Sequence, residues 1–220
     1  LVESVRSGRV PMQRLDEAVR RVLIAKYRMG LFENPYVDVA AAEKVINDPA
    51  HATASQAAAE RALVLLKNEG QVLPLKPDDF RRVAVIGPMA DSPGDTTVSL
   101  AFSQKDAVTL FKGVRERLKG IAMVETAPGV QLTRLNPSPL DGLMRPASRW
   151  TPEEAAAEIG KAVELATRSD VVIMTLGENT NMSSEQGSRS DLTLPGDQRK
   201  LLDAVLATGK RVVVVLMNGR

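Results

Sequence analysis

Cysteine is absent from the 220 residues, so disulfides, thiolate nucleophiles and thiolate metal ligands are excluded, whatever the compartment. Histidine occurs once, at His51, and one imidazole without a thiolate does not make a metal site. A Ser–His–Asp triad would have to use that histidine, and no Gly-x-Ser-x-Gly elbow supplies the serine. Aromatic residues are scarce, at one Trp, two Tyr and four Phe, and the formal net charge is only +2. Without a basic run interleaved with aromatics, a nucleic-acid surface is not expected. Long apolar runs are also missing: the longest, "VVVVLM" at 212–217, has the length of a strand and not of a membrane span. The first residues, "LVESVRSGRV", have neither the charged start nor the apolar core of a secretory leader. The sequence opens without Met and stops at "LMNGR" just after a strand, so it is expected to be a fragment of a longer chain.

What is present suits a packed protein of one or two domains: 44% of residues are hydrophobic and 25% charged, which argues against general disorder. In "MQRLDEAVRRVLIAKYRMGLF", Leu15, Ala18, Val19, Val22, Leu23 and Tyr27 recur at helical spacing, and Gly30 fits the position just past a helix end. "FENPYVDVAAAEKVINDP" is broken by Pro35 and Pro49 and reads as a linker with short helical turns. The Ala-rich "AHATASQAAAERA" reads as a helix. The apolar "LVLLKNEG" that follows is open between a helix tail and a strand. Strands are expected at "RRVAVIG" (81–87), "IAMVETA" (121–127), "DVVIMTLG" (170–177) and "RVVVVLMNG" (211–219). Thr151, Pro152 and Glu154 form a capping-box signature for the helix "TPEEAAAEIGKAVELATRSD". A further helix is expected around "QRKLLDAVLATG". Continuous Val/Ile strands alternating with helices imply an α/β fold with a mostly parallel sheet covered on both faces. Residues 128–150, with scattered prolines and no period, read as loop.

Open parallel sheets bind ligands at the carboxyl ends of their strands. Two loops are placed there, "GPMAD" (87–91) and "GENTNMSSEQGSRSD" (177–191). The first resembles a phosphate-binding turn only loosely, because the second and third glycines of a dinucleotide site are missing. The second is longer than an ordinary strand-to-helix connection, and such loops in compact domains are often functional. It holds up two glutamates. A loop Glu in a partly buried site can donate a proton, although on composition alone a solvated carboxylate is the more frequent case. Glu178, directly after the strand, is expected to point back and hold the loop, whereas Glu185 at the middle can reach outward. Arg189 and Asp191 are placed to pin the loop by a charge pair or by bonds to backbone carbonyls. Trp150 has the chemistry to stack on a sugar, but a lone Trp is more often a packing residue.

Taken in order, "GRVPMQRLDEAVRRVLIAKYRMGLFENPY", "AAERALVLLKNEGQVLPL", "VAVIGPMAD", "SDVVIMTLGE", "SSEQGSRSDLTLPGDQRKLL" and "VVVVLMNGR" resemble glycoside hydrolase family 3, in its bacterial β-glucosidase-like branch. The resemblance implies that residues 1–35 carry the last helix of a (β/α)8 barrel, 36–52 a linker, and 53–220 the first part of an incomplete α/β sandwich domain. It also implies that "ALVLLKN" is the first sandwich strand. In this family the nucleophile is a barrel Asp, and the acid/base is a Glu on a sandwich loop. The family's Glu-x-Gly-x-Arg-x-Asp pattern is matched by Glu185, Gly187, Arg189 and Asp191, which assigns Glu185 as general acid/base of a retaining, exo-acting hydrolase of terminal β-D-glycosyl residues. Glu178, Arg189 and Asp191 are then substrate-binding or loop-positioning residues.

The implied substrate is a β-linked oligosaccharide or glycoside, with no cofactor and no metal. The implied partner is the barrel domain of the same protein, with a homodimer possible and no nucleic acid or membrane involved; the implied location is periplasmic or secreted. Two departures stand out. No nucleophile Asp lies in this stretch, so alone it is expected to be inactive, poorly soluble and prone to associate. Where the family has a Gly-Ser-Trp-like segment near the active site, "TTVSLAF" stands instead, which suggests a shortened loop at about 95–103. The competing readings are a non-catalytic carbohydrate-binding or structural module lacking the nucleophile, and a flavodoxin-like nucleotide binder, which would need a glycine-rich phosphate loop that is not found.

Overall fold

The computed structural model describes residues 1–96, 107–132, 150–179, 182 and 188–219. It divides into two compact units, Leu1–Leu66 and Lys67–Arg220. The first unit is helical: α1 (Val2–Arg6), α2 (Met12–Arg28), α3 (Val39–Ile46) and α4 (Pro49–Ala62). Gly30, with φ of 69°, follows the end of α2 in the left-handed conformation that glycine adopts without penalty. Asp38 and Asp48 cap α3 and α4 by accepting from the backbone N–H of Ala41 and Ala50, and Pro49 begins α4 at a position where its missing N–H costs nothing. Val19, Val22, Leu23 and Tyr27 on the apolar face of α2 are exposed.

The strand expected at "ALVLLKN" is not formed across residues 63–68. The helix ends at Ala62 and the backbone at Leu63 turns extended, but a strand exists only through ladder hydrogen bonds to a neighbour. Leu63, Val64, Leu65 and Leu66 instead have exposed side chains, and their backbone makes no ladder among the described residues. A short apolar run in extended backbone thus stands without the partner that would make it a strand.

The second unit is built on a four-stranded sheet of β1 (Arg82–Ile86), β2 (Met123–Ala127), β3 (Val171–Gly177) and β4 (Arg211–Met217), in the order β2-β1-β3-β4. All three pairings are parallel. Between the strands run the short α5 (Pro93–Thr96), α6 (Leu110–Arg117), α7 (Pro152–Thr167) and α8 (Gln198–Leu206). Alternation along β3 sends Val172, Met174 and Leu176 to one face, where they pack with Ala162, Leu165, Leu201 and Val205 of α7 and α8. Val171 and Ile173 go to the other face, with Phe80, Leu110, Val114 and Leu118 around α6. Helices therefore lie on both faces, and the central β1 and β3 are apolar along their length because both their sides are buried, whereas the edge strands β2 and β4 keep exposed residues such as Met123, Val214 and Leu216. The capping box at α7 is present in full: Thr151 Oγ1 accepts from Glu154 N–H at 3.2 Å, and Glu154 Oε2 accepts from Thr151 N–H at 2.8 Å.

The amino ends of β1 and β3 are registered by a side chain. Asp170 Oδ2 accepts the N–H of both Arg81 and Arg82, at 2.7 and 2.8 Å. These backbone bonds, Arg81 first, hold its carboxyl below the ordinary range, and Lys210 and Arg211 add to the effect. Because the folded pKa lies below the unfolded value of about 3.9, the contribution is fully present above that pH. It is lost as pH falls through the folded pKa. Asp170→Ala is expected to lower the unfolding temperature at neutral pH, and the gap from wild type should narrow as melts are recorded at progressively more acid pH, below the ordinary carboxylate range. A gap unchanged by acid would show that the carboxylate's charge contributes nothing.

Residues 133–149, most of the stretch read as loop, lie outside the described residues, as do "TVSLAF" (97–102), Glu185 and Gly187.

Candidate active site

In a parallel sheet ordered β2-β1-β3-β4, the chain winds outward from β1 to β2, then crosses back to β3 and β4. The reversal falls between β1 and β3, and the crevice at the carboxyl ends of those two strands is where such sheets hold ligands. The two loops singled out in the sequence leave from these two ends: 87–91 from β1 and 178–197 from β3. Both exits turn on a glycine for a steric reason. A Cβ on Gly87, at φ 137°, would lie 2.1 Å from the Thr175 carbonyl oxygen. One on Gly177, at φ 130°, would lie 2.1 Å from the Met217 carbonyl oxygen. Neighbouring backbones pass too close there for any side chain.

The loop after β1 is packed inward. Met89 and Ala90 are buried, Gly87 N–H donates to Ala127 O at 3.1 Å, and Phe111 N–H donates to Ala90 O at 2.9 Å. Asp91 accepts from the fully buried Thr109 hydroxyl at 2.7 Å. Thr109 in turn caps α6 through the N–H of Lys112. This turn is a brace between β1 and α6, with its apolar Met89 and Ala90 buried.

The loop after β3 is fixed at both roots. At its start, Glu178 N–H donates to Met217 O at 2.7 Å. At its end, the amide of Gln198, fully buried in the first turn of α8, reaches back to the last residue of β3. It accepts from Gly177 N–H at 2.8 Å and donates to Gly177 O at 2.8 Å and to Pro195 O at 2.9 Å. Inside these roots, Arg189 and Glu178 form an ion pair of 3.5 Å, and both side chains are only 7% exposed. Arg189 Nη2 also donates to Thr193 O at 2.7 Å and to Asp191 Oδ1 at 3.1 Å. Asp191 accepts from the Thr193 N–H at 2.9 Å and from its hydroxyl. Those Thr193 bonds, followed by Arg189, lower the Asp191 pKa, so this carboxylate is anionic throughout the neutral range. Asn179 is buried, and Met182 N–H donates to its side-chain oxygen at 3.2 Å.

Three of the sequence-derived residues, Glu178, Arg189 and Asp191, thus meet in one network. Glu185 lies in the span between Glu178 and Arg189, outside the described residues. Trp150, directly before α7, is half-buried, with its backbone N–H donating to Gln131 Oε1 at 3.1 Å. His51 is exposed on α4. Among the described residues no group of His, Asp or Glu could hold a metal ion. Gln198, Thr109 and Asp91 went unnoticed in the sequence. Gln198 did leave a trace there: it occupies the apolar stripe of α8 in line with Leu201 and Val205, where a polar residue needs a buried partner.

A doubly wound parallel domain with a long, internally braced loop at its switch point is a frame for carrying a side chain to a ligand. A family model described as the glycosyl hydrolase family 3 C-terminal domain matches residues 63–220, and the chain belongs to that family. Among its relatives, the periplasmic beta-glucosidase of Salmonella typhimurium is 37% identical across 98% of this chain and 29% of its own length. The lysosomal beta glucosidase of Dictyostelium discoideum is 32% identical across 100% of this chain and 26% of its own. A beta-xylosidase of Formosa agariphila is 28% identical across 95% and 27%. The solved beta-glucosidase of Listeria innocua in complex with isofagomine superposes with a TM-score of 0.78 at 28% identity, covering 100% of this chain and 28% of that one. The chain therefore spans less than a third of the length of these relatives.

Proposed function

We propose that this chain is part of a retaining, exo-acting β-glucosidase-like glycoside hydrolase and supplies its general acid/base, Glu185. In this reading residues 1–35 end a (β/α)8 barrel, 36–52 link it onward, and 53–220 begin the α/β sandwich. The nucleophilic Asp comes from the barrel segment upstream. The observation that supports the proposal is the 178–197 loop: long, leaving the sheet at the switch point, and braced at its described ends by buried contacts. Its Glu185, Arg189 and Asp191 fall on the family's acid/base pattern.

The chemistry follows from two carboxyl groups. In retaining hydrolysis they stand about 5–5.5 Å apart across the glycosidic bond. Glu185 protonates the leaving oxygen as the Asp attacks the anomeric carbon, and the glycosyl–enzyme ester forms. Glu185, now a carboxylate, then removes a proton from the incoming water. Arg189, joined to Glu178 and Asp191, holds the loop so that the carboxyl arrives in place. The substrate is a β-linked glycoside, and the location is periplasmic or secreted, as the Salmonella relative's name suggests.

This division of labour is testable by assembly. The chain alone is expected not to cleave an aryl β-D-glucoside, whereas a polypeptide joining it to the upstream barrel should turn over. Activity from the chain alone would remove the need for a barrel nucleophile and end this reading. A joined polypeptide that folds but stays inactive would favour a non-catalytic module.

A further inference from the structure

The pairing of β1 with β3 stops at Ile86 and Met174, because the chain leaves β1 through the Gly87 turn. β3 continues to Gly177 beside β4 alone. In a strand, the N–H and C=O of one residue point to the same side, and the next residue's point to the other. Glu178 N–H faces β4, where it meets Met217 O. Gly177 therefore presents both its backbone groups to the side that β1 has vacated. The carboxamide of Gln198 fills that place, accepting from the N–H and donating to the C=O of the same residue. Its second amide hydrogen goes to Pro195 O, just before α8. One fully buried side chain thus satisfies the orphaned end of β3 and ties the outgoing root of the 178–197 loop to its returning root. No other side chain type matches this demand at that length: glutamate cannot donate twice, and methionine can neither donate nor accept in kind.

We infer that Gln198 is a positioning residue for the proton donor carried by this loop, acting as a clasp that sets where both loop ends leave the sheet. The inference rests on the acid/base being on this loop, as proposed above. The clasp itself touches no substrate. Its loss leaves Gly177 N–H, Gly177 O and Pro195 O without partners, and the two loop roots are free to separate.

The test uses the polypeptide that joins this chain to its barrel, with Gln198→Met beside Glu185→Gln. Each is assayed for kcat/KM on phenyl and on dinitrophenyl β-D-glucoside, since only the poorer leaving group needs a proton in the first step. Gln198→Met is expected to lose about tenfold or more on the phenyl substrate and less than about threefold on the dinitrophenyl one. Amide hydrogen exchange at Gly177 and Glu178 should accelerate in the same variant. An equal loss on both substrates, or no loss, overturns the inference, because a merely structural role carries no leaving-group dependence. If Gln198→Met shows the dependence and Glu185→Gln does not, the clasp stands and the donor is a different residue of the loop. If only Glu185→Gln shows it, the acid/base reading stands and the clasp falls. Should Gln198→Met fail to fold, Gln198→Asn, which keeps the amide but falls one methylene short, carries the same comparison.

Discussion

Glu185→Gln in the barrel-joined polypeptide is expected to lower kcat/KM on phenyl β-D-glucoside by ~10²–10⁴-fold, the usual contribution of a positioned acid. On dinitrophenyl β-D-glucoside the loss should be no more than about tenfold, because that leaving group departs as a stabilised anion without needing a proton. Turnover of the activated substrate should nevertheless slow, since its second step still needs a base to deprotonate water. The signature is a steep new dependence of kcat/KM on leaving-group acidity in the variant and a shallow one in wild type. A uniform loss across both substrates would assign Glu185 to binding or folding and not to proton transfer.

Gly177→Ala is expected to be severely damaging, as is the equivalent methyl addition at Gly87. The new Cβ would stand 2.1 Å from Met217 O and 2.8 Å from Met217 C. Both are backbone atoms of the neighbouring strand and cannot swing aside. The residue must also keep φ near 130°, where a side chain costs about 1–3 kcal/mol before any clash. Relief requires the ends of β3 and β4 to part, which sacrifices the Glu178–Met217 hydrogen bond and disturbs the Gln198 clasp. Together these place the cost at about 4 kcal/mol, in the range reserved for severe single substitutions. The control is Gly196→Ala, where φ is 64° and nothing lies within 4 Å of the added atom; there only the left-handed backbone is penalised, by roughly 1–2 kcal/mol. Denaturant unfolding of the two variants decides the matter. If Gly177→Ala is no worse than Gly196→Ala, the strand ends are not packed as described.

Much of this fold was legible in residue order because short-range rules dominate it. The Val/Ile runs of β1, β3 and β4 announce a doubly covered sheet, and the Thr151–Glu154 box marks the start of α7 to the residue. The weaker β2 was readable as well. The failure at residues 63–68 is instructive: Leu63 to Leu66 have strand propensity, but pairing is a property of two segments, and one sequence segment does not reveal whether an edge is available to it. The site divides the same way. The candidate loop stands out by the length and composition of the stretch between β3 and α8, and the Arg189–Asp191 contact within it was among the pairings the residue order suggested. Gln198 was not readable, because its role depends on β1 ending three residues short of β3, a fact of register that no local pattern encodes. Asp91 and Thr109 were missed for a related reason: their bond joins two loops that only the folded sheet brings side by side.

The proposed role of Glu185 as the acid/base of a retaining hydrolase is tested most directly by rescue with an external nucleophile. Glu185→Ala in the barrel-joined polypeptide is given dinitrophenyl β-D-glucoside with and without azide, a nucleophile that needs no general base. Azide is expected to accelerate turnover and to leave as the β-glycosyl azide, with configuration retained through two displacements. An unaltered rate with no glycosyl azide, or an α-configured product, would contradict the assignment of Glu185 and the double-displacement mechanism with it.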